Sequence, residues 1–257
     1  MDTKLPREIS RPTASHCAAL FYGTLSNLIW KGSDNFIEGQ GTLTFLRYKG
    51  HLFGVTNEHV VKKAIDAYED KTDQYVFLVA LQKHEQIRAM PIARFTQDDP
   101  HVPFDLAIFR LPECFLDGSD KTPINLNQST PILLAPGSKG LAVGFPGSHR
   151  KVVSPQTMSH RLFHVVATCH GISDRKIILQ DAFDQPGPEH RFGGMSGGPV
   201  FALTGDHNYE FQGILFEGRG FGDVGPDDLP GTENWIWAFP FSGELLERAC
   251  EGSGLEF

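Results

Sequence analysis

The run GGMSGGPV, from Gly193 to Val200, sets Ser196 between two glycine pairs. A serine hydroxyl that attacks a carbonyl must project from a tight turn whose backbone N–H groups also face the developing oxyanion. Such a turn calls for glycine, because positive φ and close substrate approach leave no room for a Cβ. The N–H groups of Gly194 and Ser196 would be the two donors here. The same run also fits a glycine-rich hairpin that carries a solvated serine.

A serine hydroxyl is a weak nucleophile and needs an imidazole base within hydrogen-bond reach. Of the eleven histidines, His59 in FGVTNEHVV is set apart by its place, just after an apolar strand and at the start of a short helical turn. Asp105 in HVPFDLAIFRL stands immediately before an alternating apolar run. A carboxylate beside such a strand is costly to bury without a partner such as an imidazole N–H. A strand-start aspartate bonded to local backbone is the plainer alternative for Asp105 taken alone. Each of the three residues falls on a short turn that flanks a strand.

The elements that must hold these turns are mostly strands. Gly41–Tyr48, His51–Thr56, Tyr75–Gln82, Asp105–Leu111 and Gly140–Gly144 read as short apolar or alternating runs between turn signals. Phe163–Cys169, Lys176–Gln180, Pro199–Leu203, Phe211–Phe216 and Trp235–Phe241 continue the series. About ten such strands predict an all-β sandwich or barrel. Two helical pieces stand out, Glu58–Asp66 and Ser242–Cys250, the second with Ser242 as N-cap and Glu in its first turn. Asp117–Pro131 is polar and reads as the connection between two halves, and Glu217–Asn234 reads as a long loop.

With these residues in place, the chain resembles the chymotrypsin-fold serine peptidases, and among them most closely the HtrA-like trypsin branch. GTLTFLRYKGHLFGVTNEHVV resembles that family's strand–strand–histidine segment, DLAIFRL its aspartate strand and GGMSGGPVF its GxSGGP nucleophile loop. KIILQDAFDQPG is similar to the run before that loop, FQGILFEG to the strand beside the primary pocket, and WIWAFPFSGELLERA to the last strand and terminal helix. The likeness spans Gly41 to Ala249; TNEHV matches the family's T-A-x-H more loosely than GGMSGGP matches its serine motif.

The resemblance implies an all-β, chymotrypsin-like fold of two six-stranded antiparallel β-barrels with a short C-terminal helix. It implies an extension at 1–15, a first barrel at 16–120 carrying His59 and Asp105, a second at 121–241 carrying Ser196, and a helix and tail at 242–257. The roles it implies are Ser196 as nucleophile, His59 as general base and then acid, Asp105 as orienter, and the Gly194 and Ser196 N–H groups as oxyanion hole. The expected activity is serine endopeptidase hydrolysis of protein or peptide substrates, with neither cofactor nor metal. A silent binding module on the same fold is the alternative. For the specificity pocket the resemblance points to His190 at the base and Phe216, Glu217 and Gly218 at the wall. An acidic or amide side chain suits His190, a basic one suits Glu217, and solvent-facing loop residues are an equal alternative.

Departures from the family shape further expectations. Met195 stands where digestive members carry an aspartate that pairs with a freed N-terminal amine, so activation by N-terminal cleavage is not expected. Activity is then either constitutive or gated by an activating protein partner that orders the loops. No PDZ-like segment is expected to regulate the domain from within this sequence.

Charge and composition exclude other classes. With 23 Lys+Arg against 31 Asp+Glu the net charge is −8, which disfavours a nucleic-acid binder that tracks phosphates. No run approaches the roughly eighteen apolar residues of a membrane span. The opening MDTKLPREISRPTASHC lacks the apolar stretch of a signal peptide, and the four cysteines form no CxxC, so a cytoplasmic protein with reduced thiols is expected. His84 and Glu85 do not continue to HExxH, and the spacing of His160 and His164 fixes no metal site in a strand-like run.

Overall fold

The computed structural model describes residues 5–24, 37–70, 75–81, 84–87, 91–96, 104–127, 131–147, 151–154, 157–173, 176–181, 192–205, 208–219 and 235–251. The first half is an eight-stranded sheet. It is built from β1 (Cys17–Thr24), β2 (Gly39–Tyr48), β3 (His51–Thr56), β4 (Tyr75–Ala80), β5 (His84–Ile87), β6 (Ala93–Phe95) and β7 (Leu106–Leu111). These pair in the order β5-β4-β1-β2-β3-β7-β6, and β8 (Ile124–Asn125) joins β2 in parallel. That last strand belongs to the stretch read from sequence as a connection, and it returns the chain to the first sheet.

The second half closes on itself. β9 (Lys139–Gly144), β12 (Phe163–Ser173), β13 (Lys176–Asp181), β14 (Pro199–Leu203), β15 (Tyr209–Arg219) and β16 (Trp235–Pro240) form a barrel in the order β12-β13-β16-β15-β14-β9. A separate hairpin pairs β10 (Lys151–Ser154) with β11 (Thr157–Ser159). Closure removes the exposed strand edges that would otherwise template association.

Alternation decides which face of each strand meets which core. On β2, Leu43 and Phe45 enter a first-half cluster with Leu20, Leu52 and Phe109, whereas Leu46 joins a cluster shared with Leu141, Val143 and Phe201 of the second half. Gln40, Thr42 and Thr44 lie on the same side as Leu46 by the same period of two. β2 therefore holds polar groups toward the other half over the length where the two meet.

Three helices complete the described fold. α1 (Arg7–Ser15) buries Ile9 and Thr13. α2 (Glu58–Glu69) buries Val60, Val61, Ala64 and Ile65, a helical stripe that packs into the first-half core. α3 (Gly243–Cys250) starts at Ser242, whose side chain accepts the Leu245 N–H, so the expected cap is present. The expected strands recur at these positions within a few residues. One reading is corrected: Glu217 and Gly218, taken from sequence as the start of a loop, lie on β15, while 220–234 falls outside the described residues. None of the described helices is long and apolar enough to cross a membrane.

Candidate active site

The histidine turn forms where β3 ends. Asn57 leaves the strand buried, its Nδ2 donates to the Asp105 carbonyl at 2.8 Å, and α2 begins at Glu58. The next residue, His59, donates its backbone N–H to Asp105 Oδ1 at 3.0 Å, and its ring Nδ1 is hydrogen-bonded to Asp105 Oδ2. Asp105 is 6% exposed, immediately before β7, while the His59 side chain is 50% exposed. A buried carboxylate that takes both a backbone N–H and the ring fixes Nδ1 as the donor and leaves Nε2 as the free acceptor. Burial pulls the imidazole pKa down. Burial is the largest single influence, but the hydrogen bond and charge of Asp105 and the charges of Glu58 and Glu217 together outweigh it, so His59 titrates above its ordinary value.

The Ser196 turn needs its glycines for two separate reasons. Gly194 and Gly197 have φ of +97° and +89°, in the left-handed region that a side chain disfavours. A Cβ on Gly197 would also stand 2.1 Å from the Thr42 carbonyl oxygen, and one on Gly198 would stand 2.0 Å from that of Val143. Met195 fills the second-half core with Val200 and Ala142, which anchors the turn from inside. Among the described residues, neither the Gly194 nor the Ser196 N–H has an acceptor.

Ser196 and His59 line one cavity of about 440 Å³, a size ordinary for a ligand site. Glu58, Thr96 and Asp105 complete the first-half wall, and Phe192, Gly193, Phe216, Glu217 and Gly218 the other. The Ser196 hydroxyl donates to the Phe216 carbonyl at 3.3 Å, and no hydrogen bond joins it to His59. Phe216 reaches the cleft because β15 bulges there: Leu215 pairs with Ala238 and Glu217 with Trp237, which leaves Phe216 as the extra residue. The structure therefore brings His59, Asp105, Ser196, Phe216, Glu217 and Gly218 to one cleft, with Gly194 at the adjoining turn. His190 lies outside the described residues.

Several residues at this site were not found from sequence. Thr42 and Thr44, buried on β2, donate their hydroxyls to the Gly194 and Gly197 carbonyls at 3.0 and 2.7 Å. Glu58, buried beside His59, accepts from Arg94 Nε at 2.9 Å. Nothing in a threonine within an alternating strand, or in a glutamate that opens a helix, marks such a role. The only available signal was burial on a face that the strand period turns toward the other half. The thiols offer no rival nucleophile in the core, since burial pushes Cys17 up to about 12 and Cys250 to about 11.

Comparison with solved structures places this architecture. A thermostable serine protease, AL20 from an extremophilic microorganism, superposes with a TM-score of 0.53 at 14% identity, over 95% of this chain and 100% of that one. The scabies mite inactivated protease paralogue S-I1 gives 0.52 at 14% identity, over 95% and 96%. The shared fold is the chymotrypsin-like double barrel. Neither a family model nor a curated protein sequence matches the chain.

Proposed function

We propose that the chain is a serine endopeptidase that hydrolyses peptide bonds of protein substrates through an acyl-enzyme. The observation that carries this reading is the shared cleft: an imidazole held by a buried carboxylate, a serine on a glycine turn, and two N–H groups without acceptors beside it. In the reaction, Ser196 Oγ rotates from the Phe216 carbonyl toward His59 Nε2. It attacks the scissile carbonyl carbon while its proton passes to Nε2. The carbonyl oxygen takes the negative charge between the Gly194 and Ser196 N–H groups. The C–N bond then breaks, and the leaving amine takes the proton from the imidazolium. Water repeats the sequence on the ester and regenerates the hydroxyl. Asp105 holds the ring and favours its protonated form throughout.

Placement in the HtrA-like branch is part of the same proposal and rests on the sequence motifs. A reducing, cytoplasmic setting is supported by free thiols at Cys17, Cys114, Cys169 and Cys250. A second reading, a silent peptide-binding module, is favoured by one feature: the serine hydroxyl is engaged with Phe216 instead of the imidazole. The test is hydrolysis of a proteome-derived peptide library. Wild type should cleave it, and Ser196→Ala should lower kcat by about 10⁴ or more with the fold intact. Peptides that bind wild type and Ser196→Ala equally, with no cleavage by either, would favour the binding module.

A further inference from the structure

A glycine turn is free to rotate its peptide planes, so the open N–H groups of Gly194 and Ser196 require something to hold them. Each carbonyl from Gly193 to Gly197 has a donor. Gly193 O accepts from the Gly147 N–H at 2.8 Å, and Met195 O from the Gly198 N–H at 2.9 Å. Ser196 O accepts from the Thr42 N–H at 2.9 Å. The remaining two, Gly194 O and Gly197 O, take the hydroxyls of Thr42 and Thr44. Three of the five grips thus come from β2 of the first half.

Thr42 is the hub of this arrangement. Its Oγ1 accepts the Phe145 N–H at 3.1 Å, which leaves its one proton for Gly194 O. The same stretch after β9 supplies Gly147, which holds the Gly193 carbonyl and so aims the Gly194 N–H. Gln40 Nε2 bonds the Phe145 carbonyl at 3.1 Å from the same face of β2. Thr42 and Thr44 are fully buried. A strand position that served packing alone would suit valine equally, and burying a hydroxyl costs free energy that its hydrogen bonds here offset.

We propose that Thr42 and Thr44 are positioning residues whose hydroxyls lock the 193–197 turn with its two N–H groups open, so that the oxyanion hole is complete within this chain. The inference rests on the serine endopeptidase reading and deepens it: neither a freed N-terminal amine nor an activating partner is needed to form the hole. Met195, an apolar residue in the core, and these hydroxyls together take the place of an ion pair.

The test uses the full chain with Thr42→Val, Thr44→Val and Thr42→Ser, assayed on a peptide ester and examined by crystallography. Wild type should turn over without additives. Thr42→Val should lose about 10²-fold in kcat with KM held within about twofold, the signature of a lost oxyanion interaction. Thr42→Ser keeps the hydroxyl and gives up the methyl, so it should retain most of the wild-type kcat; packing of the methyl alone would instead spare Thr42→Val and impair Thr42→Ser. The Thr42→Val crystal structure should show the Gly194–Met195 peptide, left with only the Met195 N–H bond to the Phe192 carbonyl, turned from its place, and the flanking Gly194 and Ser196 N–H groups displaced with it. If Thr42→Val fails to fold, Thr44→Val decides by the same kcat and KM split. Wild-type kcat in a folded valine variant, or an unchanged turn in its crystal structure, overturns the inference. So does a wild type that turns over only after an added partner. If wild type is inert under every condition, the endopeptidase reading fails, while the crystal structure still decides whether the hydroxyls hold the turn.

Discussion

His59 carries the sharpest consequence at the scale of one residue. In the proposed reaction its neutral form is the base, and Asp105, Glu58 and Glu217 together raise its pKa against the opposing effect of burial. The acid limb of kcat/KM is therefore expected above the ordinary imidazole value of about 6.5. Asp105→Asn removes the largest raising influence, so the residual activity should be about 10⁴ lower and its acid limb should move to lower pH. A pH–rate profile of both proteins checks this; an unmoved limb would mean that Asp105 does not act on His59. The same shift has a stability sign. A raised folded value favours the protonated ring, so that contribution is present below the unfolded pKa and lost as pH rises through the folded one. The three residues that the proposed reaction uses, and that the structure brings to one cleft, were singled out because each flanks a strand at a turn. The role of Phe216 as acceptor for the Ser196 hydroxyl was not, because a bulge is a property of strand pairing and leaves no mark in one strand alone.

At the scale of elements, the placement of His59 depends on how α2 is fastened. Arg94 on β6 reaches Glu58 and Asp66 with contacts of 2.9 and 2.7 Å, and Glu69 at 3.2 Å. Only Glu58 is buried, at 4% exposure, so the energetic weight of the cluster falls on that pair. Arg94→Met should leave the buried Glu58 carboxylate beside His59 with only Lys62, at 3.8 Å, and destabilise the fold by about 3 kcal/mol. Asp66→Asn and Glu69→Gln should each cost under about 1 kcal/mol, since water reaches both side chains, which are 42% and 61% exposed. Urea unfolding of the three variants separates the cases, and equal losses would contradict the assignment. α2 was legible as a helical piece that follows a strand directly. α1 was missed because Pro12 stands inside it and its buried face consists of Ile9 and Thr13 alone. Short strands such as β6 and β8 were missed for a related reason: two or three residues carry no period.

At the scale of the whole molecule, the cleft exists because two halves meet along a shared apolar seam. Phe239 of β16 is buried between Phe104, which precedes Asp105, and Phe216, whose carbonyl holds Ser196. The ring centroids lie 4.9 and 5.9 Å apart, and both pairs are stacked. One ring thus ties the aspartate side of the site to the serine side. Phe239→Ala should cost about 3–5 kcal/mol and loosen the spacing of the two halves. Thermal unfolding and kcat measured together check this; a variant that loses stability but keeps kcat would show that the stack serves folding only. An all-β sandwich or barrel was legible from strand count and turn spacing, and the double barrel from the family resemblance; the seam was not, because contacts between halves join residues remote in sequence.

The central claim is that Ser196 is a nucleophile activated by His59. Intact-mass spectrometry after treatment with a fluorophosphonate, with peptide mapping of the adduct, tests it most directly. The account predicts a single adduct on Ser196 of the wild-type chain, absent in Ser196→Ala and formed far more slowly in His59→Ala. A folded wild-type chain that gains no adduct, or gains it on another residue, would contradict it.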